Sequence, residues 1–288
     1  MLSVIINPVS GGATPVVARQ RAELAAARMA ASGTPGHVFV TERRGHACEF
    51  AAAAAARGDT RVVAWGGDGT VNEVGSVLAG TATAVGIVAS GSGNGLAREL
   101  GLPTTSSAAL DHAFAATPRA IDAGRMNGRW FFSIAGVGFD AHVASLFDQA
   151  SGRRGFMTYA RVVARELLRY RAADYRIDGV PVSRALLVTV ANSAQFGNGA
   201  RIAPAARLDD GLLNLVVFAE RSRLATILAL PKLFAGDVAQ TRGATARTIT
   251  DVTIESDAPM RGHVDGEPFE AGVRVAVRVL PKVLLVAG

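Results

Sequence analysis

One cysteine in 288 residues, Cys48, leaves no internal disulfide and no cysteine-based zinc site. It sits in an alanine-rich stretch without the basic neighbours that activate a thiol, so it reads as a small core residue. Lysine is almost as scarce: only Lys232 and Lys282 occur, so arginine supplies 28 of the 30 cations. Neither lysine stands in a G-x-x-x-x-G-K context, which excludes a P-loop NTPase, and the G-x-G-x-x-G dinucleotide fingerprint is missing as well. No run of 18 apolar residues occurs, and Met1 to Asn7 reads as a strand without a basic leader, so the expectation is a cytoplasmic protein with no transmembrane segment. Aromatic residues are only 6% and no reader motif is present, so nucleic acid is not an expected partner despite the net charge of +6.

What is there fits a folded chain: 49% hydrophobic and 19% charged residues, with a length that favours two domains over one. The cationic balance favours anionic partners such as a membrane surface or a nucleotide. Nothing in the pattern decides between a monomer and a homodimer.

The first third alternates short apolar runs with helical patterns. Leu2 to Ile6 precedes Val16 to Ala31; Val38 to Val40 precedes Ala47 to Arg57; Val62 to Trp65 precedes Val71 to Leu78; Val85 to Ala89 precedes Leu96 to Leu100. This is the order of βαβ units on a doubly wound, mostly parallel sheet. After Ile121 the texture changes. Asn127-Gly128 is a two-residue hairpin signal between Arg125-Met126 and a strand from Arg129 to Ile134. Further strands are predicted at Tyr175 to Ile177, Leu186 to Val190, Leu213 to Phe218, Thr248 to Ile254 and Val273 to Val279, with helices at Phe156 to Tyr170 and Leu224 to Val238. The domains expected are therefore an α/β domain over residues 1–122 and a β-rich one over 123–288, whose last strand could return to the first.

Three glycine-rich stretches follow predicted strands and precede predicted helices: Asn7-Pro8-Val9-Ser10-Gly11-Gly12, Gly66-Gly67-Asp68-Gly69-Thr70 and Gly91-Ser92-Gly93-Asn94-Gly95. Glycine lets backbone approach a phosphate, and each following helix offers N–H groups and a positive dipole end. Asp68, between glycines, could orient a hydroxyl, hold Mg²⁺ through water, or simply cap the next helix, with Thr70 as rival for that task. Asn72 and Glu73 fall in the first turn of that helix. Three acidic features lie further on: Gly136-Val137-Gly138-Phe139-Asp140-Ala141, the stretch from Arg207 to Asp209-Asp210-Gly211-Leu212, and His263-Val264-Asp265-Gly266-Glu267-Pro268. Asp265 and Glu267, two apart, could aim carboxylates to one side as metal ligand and base.

This ordered set resembles the diacylglycerol kinase catalytic-domain superfamily, in particular its bacterial soluble lipid kinases, with sphingosine and ceramide kinases as relatives. The resemblance rests on Asn7-Pro8 with Ser10-Gly11, Gly66 to Thr70 with Asn72-Glu73, Gly91 to Asn94, Gly138 to Ala141, Asp210-Gly211-Leu212 and Asp265-Gly266-Glu267, and it spans nearly the whole chain. It implies an α/β domain like that of NAD kinases and diacylglycerol kinases, a β-sandwich-like second domain, and ATP in a cleft between them. Asn7, Ser10, Gly11, Thr41, Gly66, Gly67, Asp68, Gly69, Thr70, Asn72 and Ser92 would contact nucleotide. Glu267 would be the proton acceptor, with Asp68 and Asp265 holding catalytic Mg²⁺ or sharing the base role. A structural Mg²⁺ would bind Asp210 and the backbone carbonyls of Arg207 and Leu212, and Asp140 would face a lipid headgroup.

Gly95 departs from the pattern, since many bacterial diacylglycerol kinases carry an acid there. The Gly91-Ser92-Gly93-Asn94 form looks more like the sphingosine and ceramide kinases, and the lost acid is what a non-catalytic nucleotide or lipid sensor would show. An NAD kinase would share the Gly66 to Thr70 loop but would not require Asp210-Gly211-Leu212 or Asp265-Gly266-Glu267. A lipid acceptor also calls for transient membrane contact. Arg161, Arg165 and Arg169, spaced i, i+4, i+8 beside Arg153, Arg154 and Arg171, make a basic amphipathic helix suited to anionic lipid.

Overall fold

A computed structural model describes residues 1–149, 156–197, 199–220, 222–237 and 241–288. The chain divides into two compact units, Met1–Ile121 with Lys282–Gly288, and Asp122–Pro281.

The first unit runs β1 (Leu2–Ile6), α1 (Pro15–Ala31), β2 (Gly36–Val40), α2 (His46–Ala56), β3 (Arg61–Gly66), α3 (Asp68–Leu78), β4 (Ala84–Ala89), α4 (Gly95–Glu99) and α5 (Ser106–Ala115). The strands pair in parallel in the order β2-β1-β3-β4, and Val286 near the chain's C-terminus adds to the β4 edge opposite Val85. Every residue of β1 is buried, which a parallel strand covered on both faces requires. Val4, Ile6, Val63, Trp65 and Val88 pack with Ala25 and Met29 of α1 and Leu110 and Ala113 of α5. α2 and α3 contact β1 and β3 and bury Ala47, Ala51, Ala54, Val74 and Leu78. The sheet is doubly wound, and its order reverses between β1 and β3, where such sheets bind ligands at their carboxyl ends.

The second unit takes β5 (Pro118–Met126) from Asp122 onward, β6 (Arg129–Phe131), β7 (Ile134–Gly138), α6 (Phe139–Gln149), α7 (Phe156–Leu167), β8 (Ala173–Ile177) and β9 (Val180–Ala191). It continues with β10 (Gln195–Gly197), β11 (Ala200–Arg201), β12 (Leu213–Ala219), α8 (Arg223–Ala235), β13 (Ala244–Ile249), β14 (Asp251–Val264) and β15 (Glu267–Ala287) as far as Pro281. Antiparallel pairing follows β13-β12-β9-β7-β14-β15. β8 pairs with both β9 and β14, so β9, β7, β14 and β8 form a closed circuit. β14 can join two neighbours because its register shifts between Glu255 and Met260, leaving Ile254 on β8 and Gly262 to Val264 on β7. Val137, Tyr175, Ile177, Val188, Ile254, Val264 and Val275 fill its core, while Phe139, Val143, Val163 and Leu167 pack helices over the other side of β9 and β12.

Three two-residue turns have both residues left-handed: Asn127-Gly128, Asp178-Gly179 and Asp265-Gly266. That is the hairpin turn whose twist matches its strands. Two expected strands are each broken. The run from Arg129 to Ile134 stops at Phe131 and restarts at Ile134, and Thr248 to Ile254 splits at Thr250 into β13 and β14, which pair with different neighbours. The helices at Ser106–Ala115 and Phe139–Gln149 were not foreseen.

Candidate active site

In the first unit the three glycine-rich loops leave the ends of β1, β3 and β4, and hydrogen bonds stitch them together. Asn7 Nδ2 donates to Thr70 Oγ1 at 3.0 Å, and the Ser10 and Ser90 hydroxyls lie 2.7 Å apart. The glycines are there for space: a Cβ on Gly11 would stand 2.3 Å from the Ser90 carbonyl oxygen, and one on Gly91 would stand 2.6 Å from Gly67 Cα. Thr41 follows β2 at the same edge and is buried, its N–H bonded to the Ile6 carbonyl. Ser92 is exposed on the third loop, and Asn72 accepts a bond from the Ser76 hydroxyl within α3.

Asp68 is the first residue of α3, yet neither it nor Thr70 caps that helix, whose N-cap is Gly67 with no side-chain bond. The Asp68 carboxylate instead accepts the N–H of Asn94 at 2.8 Å and of Gly95 at 2.7 Å, and so caps α4 from the neighbouring loop. Asn94 (φ 53°) closes its loop on itself, its side chain bonding both Gly91 N–H and Gly91 carbonyl. Glu73 reaches away from the loops and caps α2 through the N–H groups of Gly45 and Ala47. With the α3 N-terminus left uncapped by any side chain, the second loop presents helix-start N–H groups suited to an anion.

Arg21 escaped the sequence reading. From α1 its guanidinium donates to the Asn7 carbonyl, the Ser10 hydroxyl and the Ser10 carbonyl, and it lies over the Trp65 ring. Partial burial lowers its pKa, though a guanidinium stays charged at any physiological pH. Cys48 is half-buried, its Sγ 3.5 Å from the Glu73 carbonyl, with burial first and the Glu73 charge next raising its thiol pKa. An inert side chain follows.

In the second unit Asp265 sits in the hairpin turn between β14 and β15, and Glu267 opens β15 opposite Val264. Asp265 lies in the turn and Glu267 in the strand that follows it, so strand alternation does not relate the two carboxylates. Asp265 turns instead onto the break between β6 and β7. Its Oδ2 accepts Phe132 N–H at 2.9 Å and its Oδ1 accepts Ser133 and Ile134 N–H at 2.8 and 3.0 Å. Those bonds replace ladder bonds for the three residues and explain why the expected strand is broken there.

Asp140, expected to face a headgroup, is the second residue of α6 and is buried. Its Oδ1 takes the N–H of Ala141, its Oδ2 takes the Thr189 hydroxyl at 2.7 Å, and His263 Nε2 lies 3.2 Å from Oδ2. This carboxylate is held by groups of the fold itself, its side chain 1% exposed. Burial first, and the Asp140 charge after it, push the Tyr170 hydroxyl up to about 12; burial raises Tyr175 further.

Asp210 is exposed and its Oδ1 accepts Leu212 N–H at 3.0 Å, while Arg207 pairs with Asp209. The same loop is tied down by buried Asp122, which no motif signalled: its Oδ2 accepts Gly211 N–H at 2.6 Å and its N–H bonds the Leu208 carbonyl. Among the described residues no three Asp, Glu, His or Cys side chains cluster as a metal site. Mg²⁺ needs no such cluster, because it keeps waters and takes one or two carboxylates with substrate phosphates. Asp68 stands at the loop edge with its carboxylate on the Asn94 and Gly95 amides.

Arg165 and Arg169 are exposed, whereas Val163 and Leu167 on the other stripe of α7 are buried. The helix ends at Leu167, so Arg169 lies in the following turn. Arg153, Arg154 and the Arg161 side chain lie outside the described residues. No helix among the described residues is long and apolar enough to cross a membrane.

Residues 1–126 match the diacylglycerol kinase catalytic domain, and residues 133–288 match the YegS C-terminal NAD kinase beta sandwich-like domain. The chain belongs to the diacylglycerol kinase catalytic-domain superfamily. Among relatives of this kinase is a Mycobacterium tuberculosis protein named diacylglycerol kinase, 34% identical over 99% of this chain and 94% of its own length. A Chromohalobacter salexigens protein named probable lipid kinase YegS-like is 31% identical over 83% of this chain and 80% of its own. A crystal structure described as a diacylglycerol kinase from Bacillus anthracis shares the fold, with a TM-score of 0.74 at 19% identity, covering 99% of this chain and 96% of that one.

Proposed function

We propose that this kinase transfers the γ-phosphate of ATP, with Mg²⁺, to a hydroxyl of a lipid, diacylglycerol or a close relative of it. The observation that carries the reading is the stitching of three glycine-rich loops at one edge of a parallel sheet, the first to its neighbours through Asn7–Thr70 and Ser10–Ser90 and the second to the third through Asp68, in a chain whose relatives bear lipid kinase names. Loop N–H groups from Ser10, Gly11, Gly66 to Thr70 and Ser92 hold the phosphates, with Asn7, Thr41 and Asn72 completing the nucleotide contacts. Arg21 keeps the first loop in shape and adds positive charge beneath it. Glu267 takes the proton of the acceptor hydroxyl as it attacks in line, and positioning supplies most of the rate. Asp68 and Asp265 would hold Mg²⁺, which when bound neutralises charge on the transferred phosphoryl. A second Mg²⁺ at Asp210 with the Arg207 and Leu212 carbonyls would brace the loop that Asp122 already ties.

The arginines of α7 and the turn after it, Arg165 and Arg169 with Arg161, bring the enzyme to anionic lipid, each worth about 1 kcal/mol near such a surface. Alanine at all three should weaken sedimentation with anionic liposomes and leave binding to neutral ones unchanged; a variant that sediments with anionic liposomes as well as wild type would remove the helix from docking. The Gly91-Ser92-Gly93-Asn94 loop favours a second reading, a sphingosine- or ceramide-type acceptor. Transfer of label from γ-labelled ATP to a panel of diacylglycerol, monoacylglycerol, sphingosine, ceramide, phosphatidylglycerol and NAD decides between them. Label in a glycerolipid supports the first reading and label in sphingosine or ceramide the second. Label only in NAD overturns both, and ATP binding without transfer would make the chain a sensor.

A further inference from the structure

Asp140 and His263 have no task in the mechanism above, yet they form a buried pair of opposite chemistry in the second unit. Their side chains are 1% and 5% exposed, with His263 Nε2 3.2 Å from Asp140 Oδ2. Burying a carboxylate is costly unless donors surround it. Here the donors are in place: the Thr189 hydroxyl shares Oδ2, and Ala141 N–H occupies Oδ1. The backbone makes room as well, because a Cβ on Gly136, which faces His263 across the β7–β14 pairing, would stand 2.3 Å from Asp140 Oδ2.

The other ring nitrogen points into the hairpin turn. Gly266 N–H donates to His263 Nδ1 at 3.3 Å. A nitrogen that accepts carries no proton, so the ring proton resides on Nε2, the atom facing Asp140. The imidazole thus accepts the amide of Gly266, the residue before Glu267, while its other nitrogen lies 3.2 Å from the buried carboxylate of Asp140 without hydrogen-bond geometry. An Asp-Gly turn of this type forms without such help, and Asp265 already clamps the turn to residues 132–134. A second hold on the same turn, at the next residue, restricts what a single one leaves free, the direction in which β15 departs.

We infer that His263, seated beside buried Asp140, is a positioning residue, which holds the Asp265-Gly266 turn through Nδ1 so that the Glu267 carboxylate keeps one direction. The inference rests on Glu267 being the proton acceptor. Side-chain geometry separates the two ring nitrogens. His263→Asn keeps an acceptor near the Nδ1 position and loses the group that faces Asp140, whereas His263→Gln keeps a polar group near Nε2 and loses the acceptor for Gly266.

The test measures kcat and the KM for ATP in the lipid kinase assay, together with amide hydrogen exchange across residues 264–267 and urea unfolding. His263→Gln should lower kcat about 10- to 100-fold, the scale of a misplaced catalytic group, with the KM for ATP held within about twofold. The Gly266 amide should exchange at least about tenfold faster. His263→Asn should restore slow exchange and most of kcat. A His263→Gln enzyme with wild-type kcat and exchange overturns the inference, and so does a His263→Asn enzyme equally impaired, since loss tracking stability alone would mark an ordinary core residue. Glu267→Ala is assayed alongside. If it remains active, the base assignment fails and the exchange data alone judge the clamp; if it is inactive while His263→Gln is normal, the clamp fails and the base assignment stands.

Discussion

Two aspartates tie loops in this molecule, and they do so over very different distances along the chain. Asp68 reaches amides 26 and 27 residues away, on the next loop of a parallel sheet. Asp265 reaches amides 131 to 133 residues back. A parallel sheet delivers the carboxyl end of every strand to one edge, so its loops meet by construction and one carboxylate need only bridge neighbours. An antiparallel unit has no such edge. It assembles its turn from segments at opposite ends of its sequence, and each clamp has to be built residue by residue.

The largest effect that would sharpen the comparison is on turnover. Glu267→Ala should lose about 10²–10⁴-fold in kcat, while Asp68→Ala should lose turnover and stability together because two amides lose their acceptor. Phosphate transfer measured beside urea unfolding separates the two, and near-normal turnover in Glu267→Ala would remove the base from the mechanism. Next in size is Asp265→Ala, which strands three amides and should cost on the order of 2–4 kcal/mol of unfolding free energy. Asp265→Asn should recover part of that, since an amide oxygen still accepts. If Asp265→Ala proves as stable as wild type, the long-range clamp is ornamental and the contrast with Asp68 collapses.

Smaller changes probe the loops. Gly91→Ala sets a Cβ against the Gly67 backbone at 2.6 Å, with no flexible end to yield, and should raise the KM for ATP about tenfold. Gly128→Ala, at a turn with φ 82° and open space around it, should cost about 1 kcal/mol of stability and leave the KM alone.

The smallest effect is confined to alkaline pH. Unfolded, Tyr170 and Tyr175 lose their protons near pH 10; folded, Tyr170 holds its proton to about 12 and Tyr175 beyond it. The unfolded state alone gains from ionisation in that interval, so stability is intact below about pH 10 and falls as pH rises toward 12. Tyr170→Phe with Tyr175→Phe should flatten that slope in urea titrations. Phenolic absorbance of the folded wild type should lag the free chromophore for these two of its three tyrosines.

The same contrast governs how much could be read from the residues alone. Hydrophobic runs and glycine loops are local signals, so the α/β architecture and the loops of the first unit were legible, as was the Asn127-Gly128 hairpin. The break between Phe131 and Ile134 was not, because its cause is Asp265, far along the chain. Nor was Asp122, whose partner Gly211 lies 89 residues on, or His263, which resembles any histidine beside a turn. Arg21 lay in a helix with no motif around it, and the task found for Asp68 was hidden because its first-turn position pointed to its own helix. Local chemistry announces itself in sequence, while a long-range hydrogen bond leaves no mark at either end.

β15 has a consequence for the order of events on the ribosome. Its extended run is interrupted at Lys282, with φ 51°. Beyond it Leu284 and Val286 are fully buried in the first unit, Val286 beside Val85, and the Val283 carbonyl takes the Gly80 N–H at 2.7 Å. The β4 edge of the first unit's sheet is therefore left uncovered through synthesis of everything from Asp122 to Pro281. Nascent chains would carry that bare edge until residues 282–288 emerge, and an enzyme whose third glycine-rich loop hangs from β4 would reach its working form only after that segment arrives.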